Sequence, residues 1–296
     1  MVQTLIGIAA GMIKHAKDVP TQLLDTVSHV TVGSYTLPPR DGNPEPNTWY
    51  SEEHRFMLNA IGLKNVGLAA FIKTELAPMV AMFEGRFARL RVSLAPTKAG
   101  ELEEMCALLN YYHVGEIIDE LEINGACPNH RDEGKLHPVL ARDPDAVEAL
   151  LKEAAGYRGA KAFKIAPCTD HETLGRIVEL CDAYDITTIV SANTLLHDAT
   201  IGGVQRISVE RGGASGYGLL AFSLIQLGLL RHIIDNSGSK LRLIGCGGVM
   251  EEEGAENLFL EQGADELQVG TLYWNHGPKA VAELVHATAH RMMAAA

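Results

Sequence analysis

A cysteine and two asparagines follow an apolar run in the stretch LEINGACPNH, Leu121 to His130. The strand predicted by the apolar residues therefore ends in Asn124, Cys127 and Asn129, polar and reactive groups for which a core has no use. Taken singly, Cys127 fits a small buried filler, and the asparagines fit hydrogen-bond partners of a turn backbone. They indicate a site for chemistry only if neighbouring strands end in matching groups.

Several other predicted strands do end in such groups. Lys164 taken alone fits a solvated strand end, but among hydroxyls and amides it supplies a fixed positive charge. Groups of this kind on one rim favour a binding site over separate structural roles. In chain order, the strand ends and the loops that follow give Ala9, Ala10, Gly11, Lys14, Gly33, Ser34, Ser93, Asn124, Lys164, Asn193, Thr194, Gly247, Gly248, Gly270 and Thr271.

Glycines end the last two predicted strands, in the stretches GCGGV and QVGTLYW. Bare backbone N–H groups can approach a phosphate closely, and a helix that follows directs its positive end to the same point. Tight strand-to-helix turns are the alternative explanation for these glycines. The pattern therefore predicts a phosphate-binding site and leaves that alternative open.

The elements that must position these residues are eight short apolar runs separated by amphipathic ones. The runs span residues 5–11, 29–36, 89–96, 116–125, 160–167, 186–194, 240–248 and 266–274, and several helical patterns between them open with Asp or Thr at an N-cap position. Eight strand–helix repeats in one domain of residues 1–296 predict an α/β fold, the (β/α)₈ TIM barrel. A doubly wound open sheet is the alternative, although no GxGxxG follows the first strand.

Two connections are too long for plain barrel loops. Residues 37–65, after the second strand, are rich in Pro, Gly and Asn, and residues 195–218 follow the sixth strand. Loops of this length usually carry function or order of their own. We expect an inserted ordered excursion or lid after strand 2 and a long loop after strand 6.

Composition limits the partners and the compartment. The net charge of −12 and a pI near 5.4 argue against a nucleic-acid or anionic-membrane partner, since such surfaces need clustered Lys and Arg. Five cysteines without a CxxC pair predict a reducing, cytoplasmic location and neither a metal site nor disulfides. The apolar stretch LIGIAAGMI leaves a signal peptide as the alternative, but a basic stretch in front of it is missing.

In its motifs the chain resembles the dihydroorotate dehydrogenases, FMN-dependent barrel enzymes of pyrimidine synthesis. The motifs occur in the family's order and spacing over nearly the whole chain: IAAGMIK, RDGNPEP, NAIGLKNVG, EINGACPN, FKIAP, SANTL, GGASG, LIGCGGV and LQVGTLY. The resemblance implies FMN as cofactor and a dihydropyrimidine as substrate. It also implies a homodimer, with an electron-transfer partner subunit as a further option.

The resemblance also implies roles for individual residues. Lys164 would stabilise the anion formed on flavin reduction, and Asn124 would contact flavin as well as substrate. Cys127 would take a proton from C5 of the substrate while a hydride leaves C6 for flavin N5. The FMN phosphate would lie on Gly216, Gly247, Gly248, Gly270 and Thr271, and the isoalloxazine on Ala9, Ala10, Gly11, Ser34 and Ser93. The substrate would be held by Lys14, Asn59, Gly62, Leu63, Asn124, Asn129, Asn193 and Thr194.

The chain combines features of two branches of that family. Cys127 and NAIGLKN are similar to the soluble class 1 enzymes, whereas Gly33 and Lys14 are similar to the membrane-associated class 2 enzymes. We expect Lys14 to replace the lysine that class 1 enzymes carry where this chain has Gly33. The electron acceptor stays open between fumarate, a quinone, NAD through a partner, and oxygen.

Two other functions compete with dihydroorotate oxidation. A tRNA dihydrouridine synthase also sets a cysteine in an N-x-G-C-P context on an FMN barrel, but it needs a basic RNA-binding face. A flavin-binding relative that has lost its substrate chemistry would explain Gly33, although Cys127 and the asparagines argue against it.

Overall fold

The computed structural model describes residues 5–126, 131–132, 135–136, 143–250 and 254–295. Its central feature is a closed barrel of eight parallel strands, each hydrogen-bonded to the strands before and after it in the chain, with the last closing on the first. The predicted (β/α)₈ TIM barrel is therefore confirmed. The strands are β1 (Ile6–Ile13), β2 (His29–Tyr35), β3 (Arg89–Leu94), β4 (Glu120–Asn124), β5 (Lys161–Lys164), β6 (Thr188–Ser191), β7 (Arg242–Cys246) and β8 (Glu266–Val269).

The strands are shorter than the apolar runs that predicted them. The run 116–125 begins pairing only at Glu120, because Val114–Glu116 forms a 3₁₀ turn. The run 266–274 stops pairing at Val269, because a helix begins at Thr271. Apolar residues continue past each strand because the adjoining turns are also buried. Hydrophobic periodicity does not distinguish a buried strand from a buried turn.

Helices follow the strands on the outside of the barrel. Asp143 and Asp170 cap two of them by accepting hydrogen bonds from the N–H groups of Asp145 (3.1 Å) and Thr173 (2.8 Å), as their sequence positions predicted. After β1, 3₁₀ turns Ala16–Asp18 and Thr21–Leu23 stand where a helix is usual. The helices are Leu68–Ala70 continued by the π-helical Phe71–Leu76 and by Ala77–Phe83, then Glu101–Tyr111, Pro144–Glu153, His171–Ala183, Leu220–Ser237, Ala255–Glu261 and Thr271–Ala295.

One helical stretch, Tyr217–Ser237, is long and apolar enough to cross a membrane by length and composition, with a mean hydropathy of 1.5. Its buried residues include Leu227, Leu230 and Ile234, which belong to the main hydrophobic core. Burial of one face against the barrel gives this stretch the role of a core helix.

The two long insertions pair with each other. Strands Thr48–Ser51 and Phe56–Asn59 come from the insertion after β2, and Leu195–Asp198 and Arg211–Gly216 come from the connection after β6. They form one antiparallel sheet, with Asn59 opposite Gly213 at the junction. The excursion is therefore ordered, as predicted, and the loop after β6 supplies half of the same accessory sheet.

Charged side chains fill the barrel interior towards the amino ends of the strands. Arg91 on β3 lies 3.6 Å from Glu266 on β8 and 3.0 Å from Glu120 on β4. Since β3 and β8 are not neighbours, the first contact crosses the barrel interior. Glu266 also pairs with Arg89 and Arg242, and Nδ1 of His29 lies 2.8 Å from Oε2 of Glu266.

Because of His29 in this cluster, we expect the free energy of unfolding to fall in mild acid. Burial and the charge of Arg91 lower the pKa of His29 from 6.5 to about 3. Between these values the unfolded chain binds a proton that the folded protein excludes, so stability rises with pH across that window. Urea unfolding should show a free energy of unfolding about 2 kcal/mol lower at pH 5 than at pH 7 from this group.

The variant His29→Gln should flatten that difference, since it has no imidazole to protonate on unfolding. His113→Gln is the control, because the His113 side chain is 70% exposed. A pH dependence equal in the parent and in His29→Gln would refute the assignment. Glu266 acts in the same direction at lower pH: burial opposes its ionisation, but His29 and Arg91 outweigh this and hold its pKa well below its usual range.

Candidate active site

A cavity that opens to solvent, with about 1080 Å³ of empty space including its mouth, lies at the carboxyl ends of the barrel strands and is partly covered by the accessory sheet. Most of the site residues predicted from the sequence line this cavity: Ala9, Ala10, Gly11, Lys14, Ser34, Asn59, Gly62, Leu63, Asn124, Lys164, Asn193, Thr194, Gly247, Gly248, Gly270 and Thr271. Residues from seven of the eight strand ends and from the NAIGLKN loop therefore meet at one opening.

Four predicted residues are not among the described residues that line the cavity. Cys127 and Asn129 lie outside the described residues. Ser93 is fully buried behind Ser34, with the two hydroxyl oxygens 2.8 Å apart, and does not line the cavity. Gly216 pairs with Phe56 in the accessory sheet, and its neighbour Ser215 lines the cavity instead.

Hydrogen bonds fix two of the amides that line the cavity. Asn124 donates to Oγ of Ser34 at 3.0 Å, and Asn193 donates to Oδ1 of Asn124 at 3.0 Å. The N–H of Thr194 donates to Oδ1 of Asn193 at 2.7 Å. These contacts set the orientation of both amide planes while leaving each amide group a second N–H. The amides are therefore preorganised as donors at the cavity wall.

The charged side chains among the described lining residues are Lys14 and Lys164. Lys164, at the end of β5, is 5% exposed, and Lys14 donates a hydrogen bond to the carbonyl of Lys64 in the NAIGLKN loop. No carboxylate is found among the lining residues that the structure describes. The local charge of this wall is positive although the whole chain is acidic, which favours an anionic ligand.

The glycines after β7 bring its end against the first turn of helix Leu220–Ser237. Gly248 has φ +108°, and a Cβ there would lie 2.4 Å from Cα of Leu220. Oγ of Ser223, in the same first turn, is buried and has no hydrogen-bond partner among the described residues. Bare glycines beside the start of a helix, together with a hydroxyl that has no partner among the described residues, suit a phosphate.

Gly33, at the end of β2, is the position where the resemblance implies a lysine in class 1 enzymes. Its φ is +102°, and a Cβ there would lie 2.6 Å from the carbonyl oxygen of Ser93. A side chain at residue 33 is therefore incompatible with this backbone. Lys14 lines the cavity near the same strands, which is consistent with the expected replacement.

Several lining residues were missed from the sequence: Met12, Met57, Ile61, Ala192, Ser215, Leu219, Cys246, Val249, Gln268, Val269 and Trp274. Gln268 could have been identified from the sequence, because burying a glutamine between apolar residues of a strand is costly unless its amide has a partner or a function. Ser215 lay inside the GGASG motif, where the glycine drew attention first. The apolar members gave no signal that separates a cavity wall from a core.

Among the described cysteines, Cys246 lines the cavity. Burial raises the pKa of its thiol, the charge of Lys164 opposes this, and Glu122 adds to the rise. Cys246 is therefore a neutral thiol near pH 7 and an unsuitable base. Cys106 and Cys181 are buried between helices and barrel, and burial likewise raises the pKa of Cys106 to about 12.

Comparison with known proteins gives a consistent result. The family model described as dihydroorotate dehydrogenase matches residues 2–292. A dihydroorotate dehydrogenase (quinone) of Synechococcus sp. is 30% identical over 294 residues, covering 96% of this chain and 74% of the relative. One of Delftia acidovorans is 27% identical, covering 96% and 82%. A crystal structure of the enzyme from Eimeria tenella in complex with ferulenol has a TM-score of 0.75 at 21% identity, covering 95% and 78%.

Proposed function

Because the chain belongs to the dihydroorotate dehydrogenase family, we propose that it is an FMN-dependent oxidoreductase that oxidises dihydroorotate, or a related dihydropyrimidine, to orotate. The observation that carries the proposal is the cavity lining: Lys14 and Lys164, four side-chain amides and, among its described residues, no carboxylate. Such a wall suits a flat anionic heterocycle with ring N–H and C=O groups.

The described residues fit FMN. Gly247 and Gly248, with the start of helix Leu220–Ser237, would hold its phosphate, and the unpartnered hydroxyl of Ser223 supports this. Thr271, whose hydroxyl donates to Oγ of Ser215 at 2.9 Å, closes the other side of that region. Ala9, Ala10 and Gly11 would present a flat, uncharged surface to the ring system. When bound, FMN supplies a hydride acceptor.

The substrate would be held by the amides of Asn59, Asn124 and Asn193 and by Lys14. Asn59 donates to the carbonyl of Gly213 at 3.2 Å, so the accessory sheet fixes this amide as the Ser34 network fixes Asn124. Asn129, by resemblance, would complete the set. The lysine ammonium would pair with the substrate carboxylate, and the amides would match the ring edge.

Proton removal from C5 is assigned to Cys127 by resemblance. Cys127 follows Ala126, which is buried and whose N–H donates to Oδ1 of Asn124 at 3.3 Å. The last described residue before Cys127 is therefore held against one of the fixed amides. A thiolate is a competent base near neutral pH if its surroundings lower its pKa.

Absorbance tests this proposal most directly. Purified protein should absorb near 450 nm, as oxidised flavins do, and anaerobic dihydroorotate should bleach that band. Bleaching also separates this reaction from tRNA dihydrouridine synthesis and from a relative without substrate chemistry. Protein with no flavin, or flavin that dihydroorotate leaves oxidised, would refute the proposal.

The acceptor is proposed to be a quinone, on the names of the relatives. Steady-state turnover with a short-chain quinone, fumarate, NAD and oxygen in turn tests this. Faster turnover with any of the other three would refute it. A homodimer stays a prediction that analytical ultracentrifugation can test.

Lys14→Ala is expected to raise the KM for dihydroorotate about tenfold with a smaller change in kcat. The reason is that a lysine pairing with the substrate carboxylate contributes equally to ground-state and transition-state binding. Lys64→Ala is the matched control, since it removes a neighbouring exposed charge and keeps the carbonyl that Lys14 contacts. An unchanged KM in Lys14→Ala would refute the hypothesis that Lys14 replaces the lysine absent at Gly33.

A further inference from the structure

A carboxylate that has no hydrogen-bond partner in the described part of the chain lies inside the barrel below the cavity. Glu122 is two residues before Asn124 on β4 and therefore shares the inward face of that strand. It is 1% exposed, and neither carboxylate oxygen has a hydrogen-bond partner among the described residues. A buried carboxylate is costly unless an opposite charge compensates it. Its counter-charge must be sought along the barrel interior.

The charges nearer the amino ends are already matched to one another. Glu120, one inward position below Glu122, lies 3.0 Å from Arg91 and accepts a hydrogen bond from Thr188 at 2.6 Å. Glu266 pairs with Arg89 and Arg242. Burial lowers the pKa of Arg91, and among the carboxylates that raise it Glu122 contributes less than Glu120 and Glu266. The matched cluster ends below Glu122.

On the cavity side, Lys164 is the cation on the inward face of an adjacent strand. In the register of β4 and β5, Glu122 is opposite Ala162 and Asn124 is opposite Lys164, so Lys164 lies one inward position closer to the cavity on the adjacent strand. Between them, Ala162 offers only a methyl group. Burial raises the pKa of the Cys246 thiol, the charge of Lys164 lowers it and that of Glu122 raises it, so both charges act on the same thiol at the cavity wall.

We propose that Glu122 is a positioning residue for the redox reaction: it is the buried counter-charge of Lys164 and offsets part of the positive field that Lys164 directs at a bound flavin. This inference rests on the proposed function, because it concerns FMN in the cavity. Lys164 favours reduced, anionic flavin, and Glu122 limits that preference. Removing the Glu122 charge therefore makes the flavin easier to reduce.

The test is Glu122→Gln, which removes the charge at nearly constant volume. The FMN reduction potential, measured by equilibration with a reference dye, should rise so that the oxidised–reduced equilibrium shifts on the order of tenfold, about 30 mV for a two-electron couple. Glu120→Gln is the matched control on the same face of the same strand. Its shift should be smaller, because Glu120 lies one inward position farther from the cavity end of β4 than Glu122.

The outcomes separate this inference from the proposed function. An unchanged or lowered potential in Glu122→Gln, or equal shifts in both variants, overturns the role of Glu122 while flavin bleaching by dihydroorotate stands. Parent protein without FMN overturns both proposals. Should Glu122→Gln not fold, Glu122→Asp retracts the charge by one methylene and should raise the potential by a smaller factor. An unchanged potential there overturns the inference equally.

Discussion

Replacing Cys127 with alanine is expected to slow reduction of the bound flavin by dihydroorotate by roughly 10²–10⁴-fold, the usual contribution of a general base. The hydride at C6 leaves readily only as the proton at C5 is taken, and alanine has no group to take it. FMN binding and the fold should be unchanged, since the resemblance assigns Cys127 to the substrate and not to the cofactor. Anaerobic stopped-flow absorbance at 450 nm measures the rate.

Two further variants sharpen this experiment. Cys168→Ala removes a half-buried thiol after β5 that does not line the cavity, and its rate should stay within twofold of the parent. Cys127→Ser should retain part of the activity and shift its pH dependence upward, because a hydroxyl needs more help than a thiol to act as a base. Equal rates in Cys127→Ala and the parent would refute the assignment.

The barrel could be predicted because its signal is repeated. Eight apolar runs alternate with helical patterns, and each repeat supports the others, so an error of several residues at one strand end leaves the count intact. Convergence of the polar strand ends follows from that topology alone. This is why Lys164, Asn193 and Gly248 could be placed at one opening from the sequence.

What could not be predicted depends on contacts between segments distant in the chain. Nothing in the local sequence pairs Asn59 with Gly213, yet that pairing joins the two insertions into one sheet over the cavity. Ser93 carries the same signal as Ser34, and only the packing of β2 on β3 decides which of them faces the ligand. Glu122, a charged residue between apolar neighbours, carried the same signal as Gln268, but burial on both faces of β4 hides from the sequence which face it occupies.

Lys164→Met should have the second large effect, because it removes the positive charge proposed to stabilise the reduced flavin. Met keeps the length of the side chain without its charge, and Lys164 is 5% exposed, so the volume it fills matters to packing.

Loss of one preorganised electrostatic contact of this kind costs roughly 10²–10³ in rate. Lys164→Met should therefore slow flavin reduction by that factor and lower the reduction potential, opposite in sign to the shift expected for Glu122→Gln. Lys161→Met is the matched control: it lies on the same strand but faces the helices, where its charge meets Asp185. It should leave rate and potential nearly unchanged. If Lys164→Met left the potential where it is in the parent, the flavin would not lie against this lysine, and the positive wall of the cavity would serve the substrate alone.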